Sequence, residues 1–307
     1  MTATQTSVEI GSEAAPTAGR FHELARSRYF VAGFVIVIVF VLTALIGPIF
    51  IHDANTFSDI QLAHPSLRWW LGTNQTGQDV FAQLVVSTRD SMLIGFTAGL
   101  IATVISVTIG VGGGFVGGFV DDALSLFSNV ILVIPVLPLV IVIAAFVKGS
   151  GIWPTVLVVA LTSWAASARI LRAQTLSVRN RDYVLAARAY GEPAWRVALV
   201  EVIPNELPII VSQFIYATIA AILTQATLAF LGLADPSELT WGNMLYFAQN
   251  DSALSSGAWW WFVPPGVCIA LVGAGLALMN FGLDEVLNPR LRIYREPRGQ
   301  RLRGRHE

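Results

Sequence analysis

Charged residues are scarce in this sequence. Of its 307 residues only 13% are Asp, Glu, Lys or Arg, whereas 54% are apolar, and the mean hydropathy is +0.64. An ordinary soluble domain is about 25% charged. The composition therefore indicates a protein of the lipid bilayer rather than an ordinary soluble domain.

Lysine is almost absent, and this excludes one function directly. A P-loop that binds ATP needs the pattern Gly-x4-Gly-Lys-Ser/Thr, in which the lysine reaches the phosphates. The single lysine, Lys148, follows Ala-Phe-Val instead. We therefore expect that the chain is not itself an ATPase and that it holds no ATP, magnesium or other cofactor.

Residues that bind metals or perform catalysis are also few and scattered. The four histidines have neither cysteine nor helical i, i+4 partners, so no metal site is expected. The sequence has no Gly-x-Ser-x-Gly nucleophile elbow and no carboxylate pair placed for a buried cleft. The single cysteine, Cys268, cannot form an internal disulfide and is interpreted as a small core residue. We expect no catalytic residue and no enzyme activity.

What the sequence does contain is long apolar stretches. Six of them lack Asp, Glu, Lys and Arg, and each has the roughly 20 residues that a helix needs to cross a bilayer. They are Tyr29–His52, Ser91–Val120, Ala123–Val147, Gly149–Ala168, Leu207–Ala234 and Ser252–Leu283. The sequence therefore predicts an all-α, polytopic membrane protein with six transmembrane helices that lack ionisable groups. Proton- and voltage-driven machines usually bury such groups along their route, so self-powered transport is not expected.

The distribution of basic residues predicts the orientation of these helices. If the N-terminus is cytoplasmic, sixteen arginines fall inside and only Arg68, Arg89 and Lys148 fall outside. Cytoplasmic loops carry the excess of Lys and Arg, so both termini are predicted to be cytoplasmic. Residues 1–28 then form a partly disordered cytoplasmic tail, residues 29–285 form the transmembrane domain, and residues 286–307 form a basic cytoplasmic tail.

Three local features refine this picture. Asp121-Asp122 separates the second and third stretches, which predicts a tight turn there. Gly112–Gly117 fits the G-x-G-x-x-G pattern of dinucleotide sites, but it ends a membrane span instead of following a strand, so we interpret the glycines as helix-packing positions. Pro135 and Pro138 are predicted to interrupt the third helix.

One long loop, 169–206, is predicted on the cytoplasmic side. Its centre predicts two short helices, the first from about Asp182 to Tyr190, closed by Gly191 in a left-handed conformation, and the second starting at Pro193. Alanines make the first helix slim enough to enter a groove of a soluble partner. The same pattern fits a hairpin that lies on lipid headgroups with its arginines on anionic lipid. The pattern alone leaves both readings open.

The loop resembles a known segment. It is similar to the EAA loop of binding-protein-dependent ABC importer permeases, whose pattern is Glu-Ala-Ala-x3-Gly followed by an apolar residue and Leu-Pro. The matching residues here are Leu185-Ala186-Ala187, Gly191 and Ile203-Pro204, with Leu185 standing where the motif has glutamate.

From about residue 28 to residue 292 the chain is similar to the second permease subunit of the dipeptide, oligopeptide and nickel branch of that family. The motifs that carry this resemblance are Leu71-Gly72-Thr73, Gly77, Asp79-Val80, 226–233, 241–245, Pro265-Gly266 and Asn288-Pro289-Arg290. The sequence departs from the branch at Asn74, Gln78, Gln225 and Leu283-Asp284-Glu285.

The resemblance implies a type I importer permease fold in a bacterial cytoplasmic membrane. It also implies a complex with a second permease subunit, two ATPase subunits that bind ATP and magnesium, and an external solute-binding protein, without nucleic acid. The residues implied in coupling to the ATPases are Ala186, Ala187, Gly191 and Pro204, with Arg181, Arg188 and Arg196 as lesser candidates. Di- and oligopeptides are the expected solutes; short oligosaccharides, nickel and opines are alternatives within the branch. An ion-coupled secondary transporter and a channel or scaffold are alternatives of other classes.

Overall fold

The fold is built from helices. The computed structural model describes Leu24 and residues 27–51, 54, 56–147 and 149–287. Within these residues there is no strand, only an isolated bridge between Thr73 and Asp79. This confirms the all-α prediction. The tails predicted for 1–28 and 286–307 lie almost wholly outside the described residues, as does Lys148.

Twelve α-helices and two π-helical turns make up this part of the chain. In order they are α1 (Arg28–Phe50), α2 (Val80–Ser106), a first π turn (Val107–Val111), α3 (Gly112–Val116), α4 (Gly118–Val133), α5 (Val136–Phe146), α6 (Ile152–Ser163), α7 (Ala165–Val178), α8 (Asp182–Ala189), α9 (Ala194–Val197), a second π turn (Ala198–Val202), α10 (Ile203–Phe230), α11 (Trp241–Asn250) and α12 (Trp259–Leu287).

Four continuous helical stretches are long and apolar enough to cross a membrane. They are Arg28–Phe50, Val80–Val116, Ala194–Phe230 and Trp259–Glu285. Two bent pairs, α4 with α5 and α6 with α7, pass the same test only when each pair is taken as one span. The described residues therefore hold four to six spans, which accommodates the six predicted.

Contacts at the two ends of the bundle show that each bent pair extends from one end of the bundle to the other. Arg179, just after α7, donates from Nη1 to the carbonyl oxygen of Gly114, just before α4, at 2.8 Å. Gly151, between α5 and α6, donates its N–H to Oδ2 of Asp235 at 3.0 Å, in the loop that follows α10. We call the first end, which carries α8 and α9, the hairpin end, and the second the loop end.

Small residues bring the central helices close together. A Cβ added at Gly99 of α2 would lie 2.9 Å from Cα of Thr218 of α10, and one added at Gly33 of α1 would lie 2.3 Å from the carbonyl oxygen of Gly275 of α12. Membrane helices associate through such close backbone approach, because lipid provides no hydrophobic driving force between them. The centre of the bundle is therefore closed by glycine contacts.

In the glycine-rich segment the predicted packing role is confirmed at Gly114 and extends to Gly110, whereas a Cβ at Gly112 would meet nothing within 4 Å. A Cβ at Gly110 would lie 2.4 Å from the carbonyl oxygen of Ala168, and a Cβ at Gly114 would lie 3.3 Å from that of Arg172. Both neighbours belong to α7, so this face of the segment lies directly against another helix.

The turn between the second and third spans differs from the prediction. Gly117 and Gly118 make it, with φ of 73° and 61°, a region that glycine enters without a Cβ penalty. Asp121 and Asp122 instead lie in the first turns of α4, where the helix dipole favours carboxylates. Asp121 is buried and pairs with Arg172 of α7, Oδ2 to Nη2 at 2.9 Å. The prediction of a turn at Asp121-Asp122 is therefore wrong.

Proline breaks the third span at one position. Ile134 is extended and Pro135 precedes α5, and α4 and α5 meet there at a bend of 99°. This confirms the interruption predicted at Pro135. Pro138 lies in the first turn of α5, where a missing N–H removes no helical hydrogen bond. It therefore does not interrupt the helix.

The helices extend beyond the charge-free stretches, so the expectation of spans without ionisable groups is wrong. Arg89 and Asp90 lie within α2, which begins at Val80 and not at Ser91. Arg172 lies in α7 and Glu206 in α10, both inside the segment predicted as loop 169–206. Of that segment only residues 179–181 and 190–193 are outside helices.

Candidate functional site

Residues 179–202 form a compact helical hairpin that joins α7 to α10. Arg181 is extended and precedes α8, and Gly191 follows α8 with φ of 81°. The N–H of Glu192 reaches back to the carbonyl oxygen of Ala187 at 3.2 Å, which closes the helix in the manner expected for a glycine after the last turn. The two predicted short helices are therefore present. Pro193 precedes α9 as its N-cap instead of beginning it.

Two valines anchor this hairpin to the bundle. Val184 and Val197 are 0% and 1% exposed, and they pack in one apolar cluster at the hairpin end with Val111, Phe115, Leu171, Val178 and Val202. Full burial of a valine stabilises by about 1.5–3 kcal/mol. The cluster takes side chains from the first π turn, α3, α7, α8, α9 and the second π turn, so the hairpin packs against the spans on both sides of it.

The hairpin arginines make contacts within the chain. The guanidinium of Arg188 lies 4.5 Å from the centre of the Phe115 ring, a cation–π arrangement. Nη1 of Arg196 lies 3.0 Å from Oε2 of Glu192 in an exposed i, i+4 pair. Such exposed pairs contribute little, about 0.3–0.5 kcal/mol. Arg181 is exposed at the start of α8.

The tip of the hairpin presents apolar side chains that have no cover in the described chain. Tyr190 is 89% exposed, Trp195 is 66% exposed and Leu185 is 48% exposed. A Cβ added at Gly191 would meet nothing within 4 Å. Leu185 was named only as the residue at the motif's glutamate position, and the spacing of alanines and arginines did not reveal Tyr190 and Trp195. The signal that could have found them is the position of the two aromatics on either side of the Gly-Glu-Pro turn.

The structure brings most of the predicted site residues together. Ala186 and Gly191 are exposed near the tip, whereas Ala187 is half-buried against the apolar cluster. Pro204 stands apart, exposed in the first turn of α10 beyond the second π turn. A π turn widens the helix, so it relieves the clash that a proline ring makes with the carbonyl four residues earlier.

Glu206, one turn beyond the hairpin, is fully buried with an exposed fraction of 0%. Its Oε2 lies 3.1 Å from Oγ1 of Thr175 in α7, and its Oε1 has no hydrogen-bond partner among the described residues. The sequence analysis did not single it out, because it placed Glu206 at the end of an exposed loop.

Several carboxylates lie at the loop end. The Ser237 hydroxyl and the backbone N–H groups of Gly151 and Ser237 hold the pKa of Asp235 below its ordinary value. The pKa of Glu238 is raised, first by burial and then by the charges of Asp90 and Asp235. Among the described residues no group of three or more His, Cys, Asp and Glu could hold a metal ion.

Residues 95–293 match the family described as "binding-protein-dependent transport system inner membrane component". The match begins within α2, extends past the end of α12 and includes the whole hairpin.

The chain is similar over most of its length to curated transport proteins. It is 33% identical over 293 residues to a protein of Brucella suis named as a peptide permease, and the alignment covers 92% of this chain and 94% of the relative. It is 30% identical over 281 residues to the dipeptide transport system permease protein DppC of Bacillus subtilis, covering 90% and 86%. It is 30% identical over 264 residues to the oligopeptide transport system permease protein OppC of Bacillus subtilis, covering 85% of each.

Proposed function

Because the chain belongs to the family of binding-protein-dependent transport system inner membrane components, we propose that it is the permease subunit of an ATP-driven importer of di- and oligopeptides. The relatives that cover most of this chain are named for peptide transport. A second permease would complete the pathway, and an external binding protein would deliver the peptide.

The observation that carries a coupling role is the exposed hairpin tip. Tyr190 and Trp195 leave large apolar surface in water while Val184 and Val197 hold the hairpin rigidly to the bundle. Tyrosine and tryptophan are the residues that most often dominate binding energy in protein interfaces. We propose that this tip docks into a groove of an ATPase subunit, which binds ATP and magnesium, since this chain has no P-loop. Arg181, Arg188 and Arg196 would lie at the rim of the contact.

The apolar cluster would transmit the movement. When the ATPases close, a displacement of the hairpin acts on α7 and α10, which leave the hairpin at its two ends. Because α10 packs closely along α2 through Gly95 and Gly99, the spans would rock together between inward- and outward-facing states.

Detergent co-purification of the tagged chain from its native membrane tests the assembly. We expect mass spectrometry to recover a second permease and P-loop ATPases with it, and reconstituted vesicles to accumulate labelled dipeptide only with ATP and the binding protein. Recovery of the chain alone, under conditions that keep known complexes intact, would contradict the importer. ATP-driven uptake of sugar, nickel or opine instead of peptide would contradict only the substrate.

A double variant tests the docking tip. Tyr190→Ala with Trp195→Ala should weaken ATPase retention by about 30-fold, since loss of interface anchors costs about 2 kcal/mol or more. Leu254→Ala is the matched control, because Leu254 is also highly exposed, 76%, but lies at the loop end. Equal retention in both variants would place the ATPase elsewhere.

A further inference from the structure

We infer that Glu206 carries a proton when the hairpin is in this position, and that its carboxyl then donates a hydrogen bond to Thr175. This bond would clasp α7 to α10 at the base of the hairpin and make the hairpin position sensitive to pH. Glu206 is thus a positioning residue for the hairpin. The protonation itself does not rest on the proposed transport function, whereas the effect on uptake does.

The inference depends on how many hydrogen bonds the Thr175 hydroxyl can donate. A threonine hydroxyl has one hydrogen to donate and two lone pairs to accept with. Two oxygens lie within bonding distance of Thr175 Oγ1: the carbonyl oxygen of Leu171 at 2.9 Å and Oε2 of Glu206 at 3.1 Å. An ionised carboxylate has no hydrogen, so both oxygens would compete for the single one that Thr175 has. A protonated Glu206 removes the competition, because it donates to Oγ1.

Other buried threonines in this bundle indicate where the hydroxyl hydrogen goes. Thr88, Thr103, Thr162 and Thr218 each bond the carbonyl oxygen four residues earlier, at 2.7–3.0 Å. This is the usual pattern for a threonine inside a helix. By the same geometry Thr175 gives its hydrogen to Leu171 and leaves Oγ1 as an acceptor for Glu206.

The surroundings of Glu206 point the same way. Its Oε1 is buried without a hydrogen-bond partner among the described residues. An unpaired oxygen costs far less on a neutral carboxyl than on a buried carboxylate, which would be stabilised by at most one hydrogen bond here.

The charged groups on the elements around Glu206 are engaged elsewhere or exposed. On α7, Arg172 binds Asp121 and Arg169 is exposed, and just after α7 Arg179 binds the carbonyl oxygen of Gly114. On α8, Arg188 lies over Phe115 and Asp182 is exposed, as is Arg181 just before the helix.

The remaining titratable neighbours are Tyr183 on α8 and Glu201 in the second π turn. The pKa of Tyr183 is raised, first by burial; the charge of Arg181 lowers it and that of Glu201 raises it. Neither neighbour supplies a positive charge that would hold Glu206 ionised.

Infrared spectroscopy of the purified full chain tests the proton directly. We expect the carbonyl stretch of a protonated carboxyl at neutral pH, present in the wild type and absent in Glu206→Gln. The band should disappear on alkalinisation. Glu201→Gln, a nearby glutamate that is half-exposed, is the control and should keep the band. Absence of a wild-type band that depends on Glu206 would overturn the inference.

Uptake in reconstituted vesicles tests the positioning role. Rising pH withdraws the proton and disfavours the clasped state, so wild-type uptake per ATP should fall on the alkaline side. Glu206→Gln keeps a neutral donor and should flatten that fall. Thr175→Val loses the acceptor and should lower uptake about fivefold at neutral pH, since one buried hydrogen bond shifts a two-state equilibrium by about that factor. The difference from the wild type should shrink on the alkaline side, where the wild type also loses the bond, and Thr175→Ser should restore uptake.

The outcomes separate the two proposals. If Glu206→Gln has the same alkaline fall as the wild type, Glu206 does not set the pH response. If no variant imports peptide but the infrared band is present, the transport proposal fails and the protonated carboxyl stands.

Discussion

At the residue scale, the glycine that ends α8 has a left-handed backbone conformation and free space where a side chain would be. Gly191 has φ of 81°, and no atom lies within 4 Å of the place where a Cβ would be. Nothing in the described chain therefore occupies the space at the tip. A side chain there would be strained, and it would project into the surface that we assign to the ATPase.

Gly191→Trp should leave the protein inserted but uncouple transport. The left-handed conformation costs a non-glycine residue about 1–2 kcal/mol, which membrane packing tolerates, whereas the indole blocks docking. We expect ATPase retention and uptake to fall by about tenfold or more. Uptake assays and co-purification measure both.

Gly257→Trp is the matched control for this change. Gly257 also has positive φ, 71°, and equally open space, but it lies at the loop end. It should keep the ATPases bound. Normal uptake by Gly191→Trp, or equal loss of the ATPases in both variants, would contradict the docking role.

A second residue-scale prediction concerns Asp235, which ties the α5–α6 connection to the loop after α10. Its pKa is lowered by hydrogen bonds from Ser237 and Gly151. A lowered pKa means that the ionised form is favoured in the folded state. The tie is thus fully present above the ordinary aspartate pKa of about 3.9, and it is lost as pH falls through the lower folded value.

Amide hydrogen exchange at Gly151 measures this tie. The N–H should be protected in the wild type at neutral pH and less protected in Asp235→Asn. After correction for intrinsic exchange rates, the difference should vanish in acid. Equal protection in both proteins at neutral pH would show that the bond does not hold the connection.

At the element scale, the packing of α2 against α10 depends on the absence of side chains. A Cβ at Gly99 would lie 2.6 Å from Oγ1 and 2.9 Å from Cα of Thr218. The second contact is with backbone, so relief requires that the helices separate.

Gly99→Ala should therefore destabilise the bundle by about 1–3 kcal/mol, the usual cost of overpacking. Gly273→Ala in α12 is the control, because a Cβ there meets nothing within 4 Å and alanine favours a helix over glycine. Thermal unfolding in detergent should show a lower midpoint for the first variant and no decrease for the second. A midpoint unchanged by Gly99→Ala would indicate that the two helices are less closely packed.

At the scale of the whole molecule, the two opposite ends of the helix bundle differ in their chemistry. The hairpin end carries arginines and an exposed aromatic tip, and the loop end carries the carboxylates Asp235, Glu238 and Asp251. The positive-inside rule then predicts that the hairpin end is cytoplasmic.

Cysteine labelling tests this orientation. In a Cys268→Ala background, Ser150→Cys in the α5–α6 connection should react with an impermeant maleimide from outside the cell. Tyr190→Cys should react only after the membrane is opened. The reverse pattern would invert the topology, and reaction of both from one side would show that the α6–α7 pair, which lies between the two positions, does not cross.

The sequence determined by itself what depends on local composition. Charge-free stretches predicted the spans, and Gly191 and Pro193 predicted the two short helices of the hairpin, because caps and turns act over a few residues. The resemblance of the 185–204 segment pointed to the family, which the match over 95–293 confirms. The role of Ala186, Ala187, Gly191 and Pro204 in coupling stays a prediction.

Only the tertiary structure decided what depends on residues far apart in the chain. Asp121 lies inside α4, and not in a turn, where it pairs with Arg172 across 51 positions. Glu206 and Trp195 both lie in the segment 169–206 predicted as a cytoplasmic loop, yet one is fully buried and the other exposed. Burial is set by which helices pack together, and composition near a residue does not contain that information.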